Sequence, residues 1–244
     1  GRANYDIAVP SSDTIATEET CSEFSFGIDH WEVIDGDVVY DDKSIPYILE
    51  LKGLNHTGSG NFTQDEFDLT THSQIDSVMT GYDGSTYLEN KQVTIDAIIT
   101  ISEEISKFTF KDNTALVNDF KLHFEGYFKM NEDNYEMDIT FGSPDNSFKS
   151  LLSLAPGMYP ESFSGIEKQG DLAFDGAVKG IYSDTQMPAY NVTLEVRDAM
   201  FKYPDLPTPV SNINLSLTVD NKDGVIENTV VDLSRFHMDF GSNP

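Results

Sequence analysis

Apolar and polar side chains alternate, residue by residue, through long stretches of this sequence. Val93, Ile95, Ala97, Ile99 and Ile101 are interleaved with Thr94, Asp96 and Thr100. Phe120, Leu122, Phe124 and Phe128 stand against Lys121, His123, Glu125 and Lys129. The same rhythm runs through Tyr135, Met137, Ile139 and Phe141, then Tyr190, Val192, Leu194 and Val196, then Ile213, Leu215, Leu217 and Val219. Successive side chains on a strand point to opposite faces, so each run is a strand with one apolar and one polar side. Strands with one wet face belong to antiparallel sheets rather than to parallel sheets covered by helices on both sides. The rhythm predicts strands over residues 92–101, 116–130, 135–141, 190–196 and 213–219, within a total of roughly a dozen.

Turn residues punctuate the runs. Asp35-Gly36, Asp83-Gly84 and Asp223-Gly224 are predicted to supply the positive φ angles of tight hairpins. Asn131-Glu132-Asp133-Asn134 reads as a longer polar turn, and Gly58-Ser59-Gly60 as a hairpin loop rather than a phosphate loop, since no Lys follows. One segment departs from the rhythm. Phe148, Leu151, Leu152 and Ala155 fall at i, i+3, i+4 and i+7, a helical stripe that Asp145 or Asn146 can cap and Pro156-Gly157 can stop. The expected fold is all-β: a mainly antiparallel, curled or groove-like sheet of repeated hairpins, with one short helix near residues 146–155.

The chain also repeats itself. Glu32-Val33-Ile34-Asp35 matches Glu195-Val196-Arg197-Asp198 at an offset of 163. At that offset Tyr40 meets Tyr203, Asp42 meets Asp205, and Pro46 meets Pro209. One inserted residue then brings Leu51 to Leu215 and Asp68-Leu69 to Asp232-Leu233. The organisation read from this is an N-terminal extension over residues 1–21, a first β repeat over 22–141, a helix and linker over 142–171, and the start of a second repeat over 172–244 on the same sheet.

Charge and cysteine content narrow the function classes. The 244 residues carry 15 Lys and Arg against 42 Asp and Glu, a net charge of −27. Nucleic acid binding needs clustered cations, so no nucleic acid partner is expected. With 39% apolar residues the chain is too hydrophobic for a disordered acidic tail. Cys21 is the only cysteine, so no internal disulfide forms, and Thr17-Glu18-Glu19-Thr20 before it is too polar for a lipoprotein signal. No run approaches the 18 or so apolar residues of a membrane helix. A chain that opens Gly1-Arg2 reads as a soluble piece cut from something longer.

Enzymatic motifs are missing: there is no G-x-S-x-G elbow, P-loop, H-E-x-x-H or C-x-x-C. His30, His56, His72, His123 and His237 show no metal-site spacing, and His123 and His237 read as solvated strand residues. Asp220-Asn221-Lys222-Asp223-Gly224 has calcium-like oxygens but a Lys in the loop and no Glu at EF-hand distance. It reads as hairpin chemistry, as do Asp35-Gly36-Asp37 and Asp41-Asp42. Trp31 with Tyr40 and Tyr47 offers a sugar platform or, more simply, packing. No catalytic residue, metal or cofactor is expected.

Two segments resemble the AsmA family of Gram-negative envelope proteins, relatives of the TamB-like and bridge-like lipid-transfer proteins. The first is Trp31-Glu-Val-Ile-Asp-Gly-Asp-Val-Val-Tyr-Asp-Asp42. The second runs from Phe148-Lys-Ser-Leu-Leu through Phe163-Ser-Gly-Ile166 and Gly170-Asp-Leu-Ala-Phe174 to Met187-Pro-Ala-Tyr190 and Met200-Phe-Lys-Tyr-Pro-Asp-Leu-Pro207. The resemblance spans most of residues 22–244 and its motifs are structural, not catalytic. It implies a non-enzymatic periplasmic protein of outer-membrane biogenesis, anchored in the inner membrane by a helix not present here, that shields or transfers lipid acyl chains along an apolar β groove. The residues expected to line that groove are Ile95, Ile99, Phe120, Leu122 and Phe124. The rival expectation is a bacterial surface β-sandwich that binds glycan in adhesion; a carbohydrate-active enzyme with paired carboxylates is a third.

Overall fold

The computed structural model describes residues 29–43, 46–102, 105–143, 146–154, 170–183, 185–202 and 208–241. Eleven long strands follow one another in an antiparallel meander: β1 His30–Asp42, β2 Tyr47–Ser59, β3 Glu66–Tyr82, β4 Ser85–Ser102, β5 Lys107–Val117, β6 Phe120–Met130, β7 Tyr135–Gly142, β9 Asp171–Tyr182, β10 Ala189–Phe201, β11 Val210–Asn221 and β12 Val230–Phe240. A two-residue strand, β8 (Asn146–Ser147), pairs with β9 beside the end of β7 and leads into the helix α1, Phe148–Leu152. The predicted all-β class, its antiparallel pairing and its single short helix are all present. Among the described residues the sheet is open, because β1 pairs only with β2 and β12 only with β11. Extensive strand contacts join hydrogen-bonded neighbours alone, so the sheet is neither closed nor strongly curled. The two faces of a closed sandwich are likewise not found among the described residues.

The turns are more varied than the sequence suggests. Asp83 (φ 47°) and Gly84 (φ 76°) form the tight β3–β4 connection as expected, and both residues of such a turn need left-handed backbone. Asn131 and Asn134 close the β6–β7 turn. Residues 116–130 are not one strand but a hairpin, broken at Asn118, whose left-handed backbone (φ 51°) lets β5 return as β6 after two residues. Asp35-Gly36 is not a hairpin turn. It is a bulge in the middle of β1, and Gly58-Ser59 closes β2 rather than forming a loop. The helix is capped by Ser147, whose Oγ accepts a hydrogen bond from the Ser150 amide at 3.3 Å. Ala155 with the Pro156-Gly157 stop, Asp145, residues 163–166, Tyr203, Asp205 and the extension with Cys21 lie outside the described residues.

The hairpins β1–β2 and β10–β11 share one pairing register. Glu32, Val33, Gly36 and Val38 face Thr57, His56, Leu54 and Leu51; Glu195, Val196, Ala199 and Phe201 face Ser216, Leu215, Ile213 and Val210. The offset on the first strand is the 163 read from sequence. On the return strand it is 159, not 164, so Leu51 corresponds to Val210 rather than Leu215, and Pro209 to Glu50 rather than Pro46. Asp232 takes the place of Thr70, not of Asp68. The second hairpin is four residues shorter: Asp35 reaches Asn55 across 20 residues, Asp198 reaches Asn214 across 16.

Candidate functional site: the apolar face

Residues paired across neighbouring strands lie on the same side of a sheet, which turns the register into a map of each face. One row runs Leu69, Ile99, Phe110, Gly126, Ile139, Val178, Tyr190 and Asn221, from β3 to β11. Another runs Phe124, Phe141, Gly176, Val192, Val219 and Val231, from β6 to β12. Above these lie Ile75, Val93, Val117 and Phe120, then Ile95, Ala115 and Leu122. The period-two runs therefore join into a single, largely apolar face. With strands about 4.8 Å apart, the stretch from β3 to β12 extends about 38 Å across the sheet.

All five predicted lining residues, Ile95, Ile99, Phe120, Leu122 and Phe124, sit on this face. They do not share one environment. Ile95, Ile99 and Phe124 are half-buried by neighbours within the sheet, and Phe124 meets Phe110 edge-on at 5.7 Å. Phe120 is fully buried and Leu122 packs beside it, because α1 lies over this end of β6, β9 and β10 and presses Phe148, Leu151 and Leu154 against Phe120, Leu172 and Val196. A second, smaller cluster of Ile75, Val78 and Val93 packs with Leu51, Leu54, Ile95 and Val117. Elsewhere on the face the cover is local: Phe62, from the connection after β2, packs against Trp31 and Phe67. Gly176 shapes it locally: a Cβ there would meet the Phe141 ring at 2.4 Å, so the missing side chain lets that ring lie over β9 beside Phe174.

Three features of the face escaped sequence reasoning. Lys91, on β4, is buried and donates from Nζ to the Ser153 carbonyl at 2.9 Å, while Asn118 Nδ2 donates to the same oxygen at 2.9 Å. Together they tie down the C-terminal end of α1, which otherwise leaves carbonyls unsatisfied. Burial holds the Lys91 ammonium below its usual range, against the opposing pull of Glu89. Trp31 packs with Phe62 at 5.6 Å and His56 at 6.0 Å, and Phe62 in turn with Phe67 at 4.7 Å. Tyr40 and Tyr47 meet each other at 6.2 Å, nine residues further along β1, on the order of 30 Å away. The three rings thus do not form one sugar platform. The third feature is Asn113, buried in β5, whose Oδ1 accepts the Ile98 amide at 2.8 Å across a bulge. Asn55 and Asn214 share a different setting, each two positions after a left-handed residue, Gly53 and Asn212, whereas Asn113 directly follows the left-handed Asp112.

The opposite face is polar and ion-paired. Asp68, Thr100, Thr109, Tyr127, Asp138 and Lys179 form one row across it. Lys111 pairs with Asp68 at 2.9 Å and Lys179 with Asp138 at 2.6 Å. The Lys111 and Thr100 hydrogen bonds hold the Asp68 carboxyl below its usual range. His123 and His237 are not simply solvated: His123 meets Asp112 at 3.0 Å and His237 meets Asp239 at 3.1 Å. The Asp-rich loop after β11 uses its oxygens internally. Asn221 Oδ1 accepts the Gly224 amide, its Nδ2 donates to the Val225 carbonyl, and Asp223 accepts from Val225 and Asn228. Asp37 accepts from the Gly53 amide and Asp41 pairs with Lys43 at 2.5 Å, so these acids do not converge. Among the described residues no three His, Cys, Asp or Glu side chains gather as metal ligands, and no helix is long and apolar enough to cross a membrane.

No family model matches this chain, and neither does any curated protein or solved structure. The resemblance to the AsmA family rests on the motifs quoted above.

Proposed function

We propose that this chain is a section of an AsmA-like periplasmic protein of the Gram-negative envelope, whose apolar face shields or moves lipid acyl chains in outer-membrane biogenesis, and whose parent is anchored in the inner membrane. No bond is made or broken. The observation that supports this reading is a single sheet whose alternation gathers apolar side chains on one face, with α1 over one end of it and Phe62 packed on Trp31 and Phe67 at another. The half-buried part of such a face suits an apolar occupant, since large contiguous apolar patches mark lipid, ligand or protein contact sites. Each acyl methylene laid on it is worth about 0.8 kcal/mol. The acids of the opposite face stay in water, where they oppose non-specific aggregation.

Ile99→Asp tests the reading. Ile99 lies away from α1, so the variant is expected to shift the denaturation midpoint by less than about 1 kcal/mol and to abolish binding of a fluorescent fatty acid. A wild type that never binds the probe, combined with a variant destabilised by several kcal/mol, marks a closed core and overturns lipid carriage by this segment.

A further inference from the structure

The first three strands and their connections hold aromatic residues in two groups. At one end Trp31, Phe62 and Phe67 pack on one another. At the other end stand Tyr40, Tyr47 and Tyr82. Asp42, Tyr47, Tyr82 and Ser85 pair in turn across β1, β2, β3 and β4, so the four side chains share one row and one face. Tyr40 lies one row further in, opposite Leu49. Its ring meets that of Tyr47 at 6.2 Å and 54°, which makes a corner, and its hydroxyl donates to Asp42 Oδ2 at 3.0 Å. Packing does not account for these rings: Tyr40 is 46% and Tyr82 50% exposed. A hollow of about 350 Å³ opens beside them, and its lining includes Asp41, Asp42, Tyr47, Tyr82, Ser85 and Thr86. Gly81 leaves room in its wall, where a Cβ would crowd the Ser85 carbonyl at 3.1 Å and the Ile48 side chain at 3.2 Å. The Asp83 amide donates to the Pro46 carbonyl at 2.8 Å, which ties the β3–β4 turn to the start of β2.

We infer that this end of β1–β4 is a carbohydrate-binding site, taking a neutral or amino sugar of a glycan chain. A sugar ring has apolar C–H faces and a hydroxyl edge. Tyrosine supplies the matching pair, an apolar ring with a polar tip, where Phe or Leu supplies only the first. The Asp41 and Asp42 carboxylates accept from hydroxyl groups, and the Ser85 and Thr86 hydroxyls both accept and donate. A concave site with aromatic walls and a few convergent polar groups is the usual form of a small-ligand pocket. Charge selects the kind of sugar. Lys43 is the one cation among the described residues lining the hollow, and it pairs with Asp41 at 2.5 Å. An acidic or phosphorylated sugar therefore meets carboxylates with no cation left over, in a chain of net charge −27. The third ring of the site is Tyr82, not Trp31. The site stands apart from the lipid reading and does not rest on it.

A glycan array tests this, carrying glucose, galactose, mannose, glucosamine and N-acetylglucosamine oligomers beside sialylated and phosphorylated ones. Titration calorimetry with the best-bound soluble oligosaccharide then gives the affinity. The wild type is expected to bind neutral or amino sugars and to leave the acidic ones. Tyr82→Ala is expected to weaken binding at least about tenfold, with an unchanged melting midpoint, since the ring is half-exposed. Should that variant melt early, Ser85→Lys, exposed beside the turn and long enough to fill the hollow, serves in its place and is expected to weaken binding in the same direction. Tyr135→Ala, which removes a ring 42% exposed at the opposite end of the strands, is expected to leave the affinity unchanged. A wild type that binds no glycan on the array overturns the inference. So does an affinity that survives both Tyr82→Ala and Ser85→Lys or falls with Tyr135→Ala, or equal binding of acidic glycans, which denies the part assigned to Asp41 and Asp42.

Discussion

The hairpins β1–β2 and β10–β11 are built alike and placed unlike. Each has two bulges at corresponding positions, with left-handed Asp35 (φ 50°) matched by Asp198 (φ 49°), and left-handed Gly53 (φ 63°) by Asn212 (φ 52°). Each fastens its bulge with an asparagine. Asn55 Oδ1 accepts the Asp35 amide and its Nδ2 donates to the Gly53 carbonyl; Asn214 does the same for Asp198 and Asn212. Yet Val33 is 37% exposed at the sheet edge, while its counterpart Val196 is 1% exposed under α1. Gly36 corresponds to Ala199, which is wholly buried. The bulge geometry is a local property that short-range hydrogen bonds suffice to maintain. Burial is a property of position in the sheet.

The largest expected contrast follows from that burial. Val196→Asp sets a carboxylate into a core with no partner for it and is expected to destabilise by about 4 kcal/mol or more. Val33→Asp, at the equivalent site, is expected to change stability by no more than about 0.5 kcal/mol. Chemical denaturation of both variants checks this, and comparable losses would show that the edge hairpin is covered in solution.

A smaller effect separates the asparagine clasps. Asn55→Ala and Asn214→Ala each remove the two hydrogen bonds of a clasp at or near the surface, and both are expected to cost about 1 kcal/mol, equally within error. Asn113→Ala strands the Ile98 amide in a buried bulge, at about 2 kcal/mol. A much larger loss at Asn214 than at Asn55 would mean that the shared geometry depends on its surroundings after all.

The smallest effect is in pH. His56 occupies the place of Leu215 in the other hairpin. Burial, and then the neighbouring His72, lower its pKa from 6.5. The unfolded chain therefore takes up more protons as pH falls through 6.5, so the stabilisation present above that value is lost on acidification. His56→Leu is expected to reduce this loss below pH 6.5, seen as a flatter midpoint-against-pH curve. An unchanged curve would assign the acid sensitivity elsewhere.

Much of the fold was legible in the residues. The alternation from Val93 to Ile101 and from Tyr190 to Val196 identified strands and the face each apolar side chain occupies, because the two-residue period is set by the backbone itself. It also placed Ile95, Ile99, Phe120, Leu122 and Phe124 on one side together. The match of Glu32–Asp35 with Glu195–Asp198 located the shared hairpin, but the return strand was misaligned because a turn can lose four residues without disturbing the register behind it. Asp35-Gly36 looked like a turn since a left-handed pair serves equally in a hairpin and in a bulge.

What the chain determined alone is thus the local part: strand, face and the capacity for left-handed bulges, each fixed by a few consecutive residues. Tertiary structure decided what covers the face and how deeply each strand is buried. Lys91 and Asn118 meet Ser153 across sequence separations of 62 and 35 residues, and that clamp buries Phe120 while leaving Ile99 half-open. Val33 and Val196 have the same residue type and the same register, and no local pattern distinguishes them. They differ because one sits on the outermost described strand and the other where a helix lies down, and burial depends on chain segments distant in sequence.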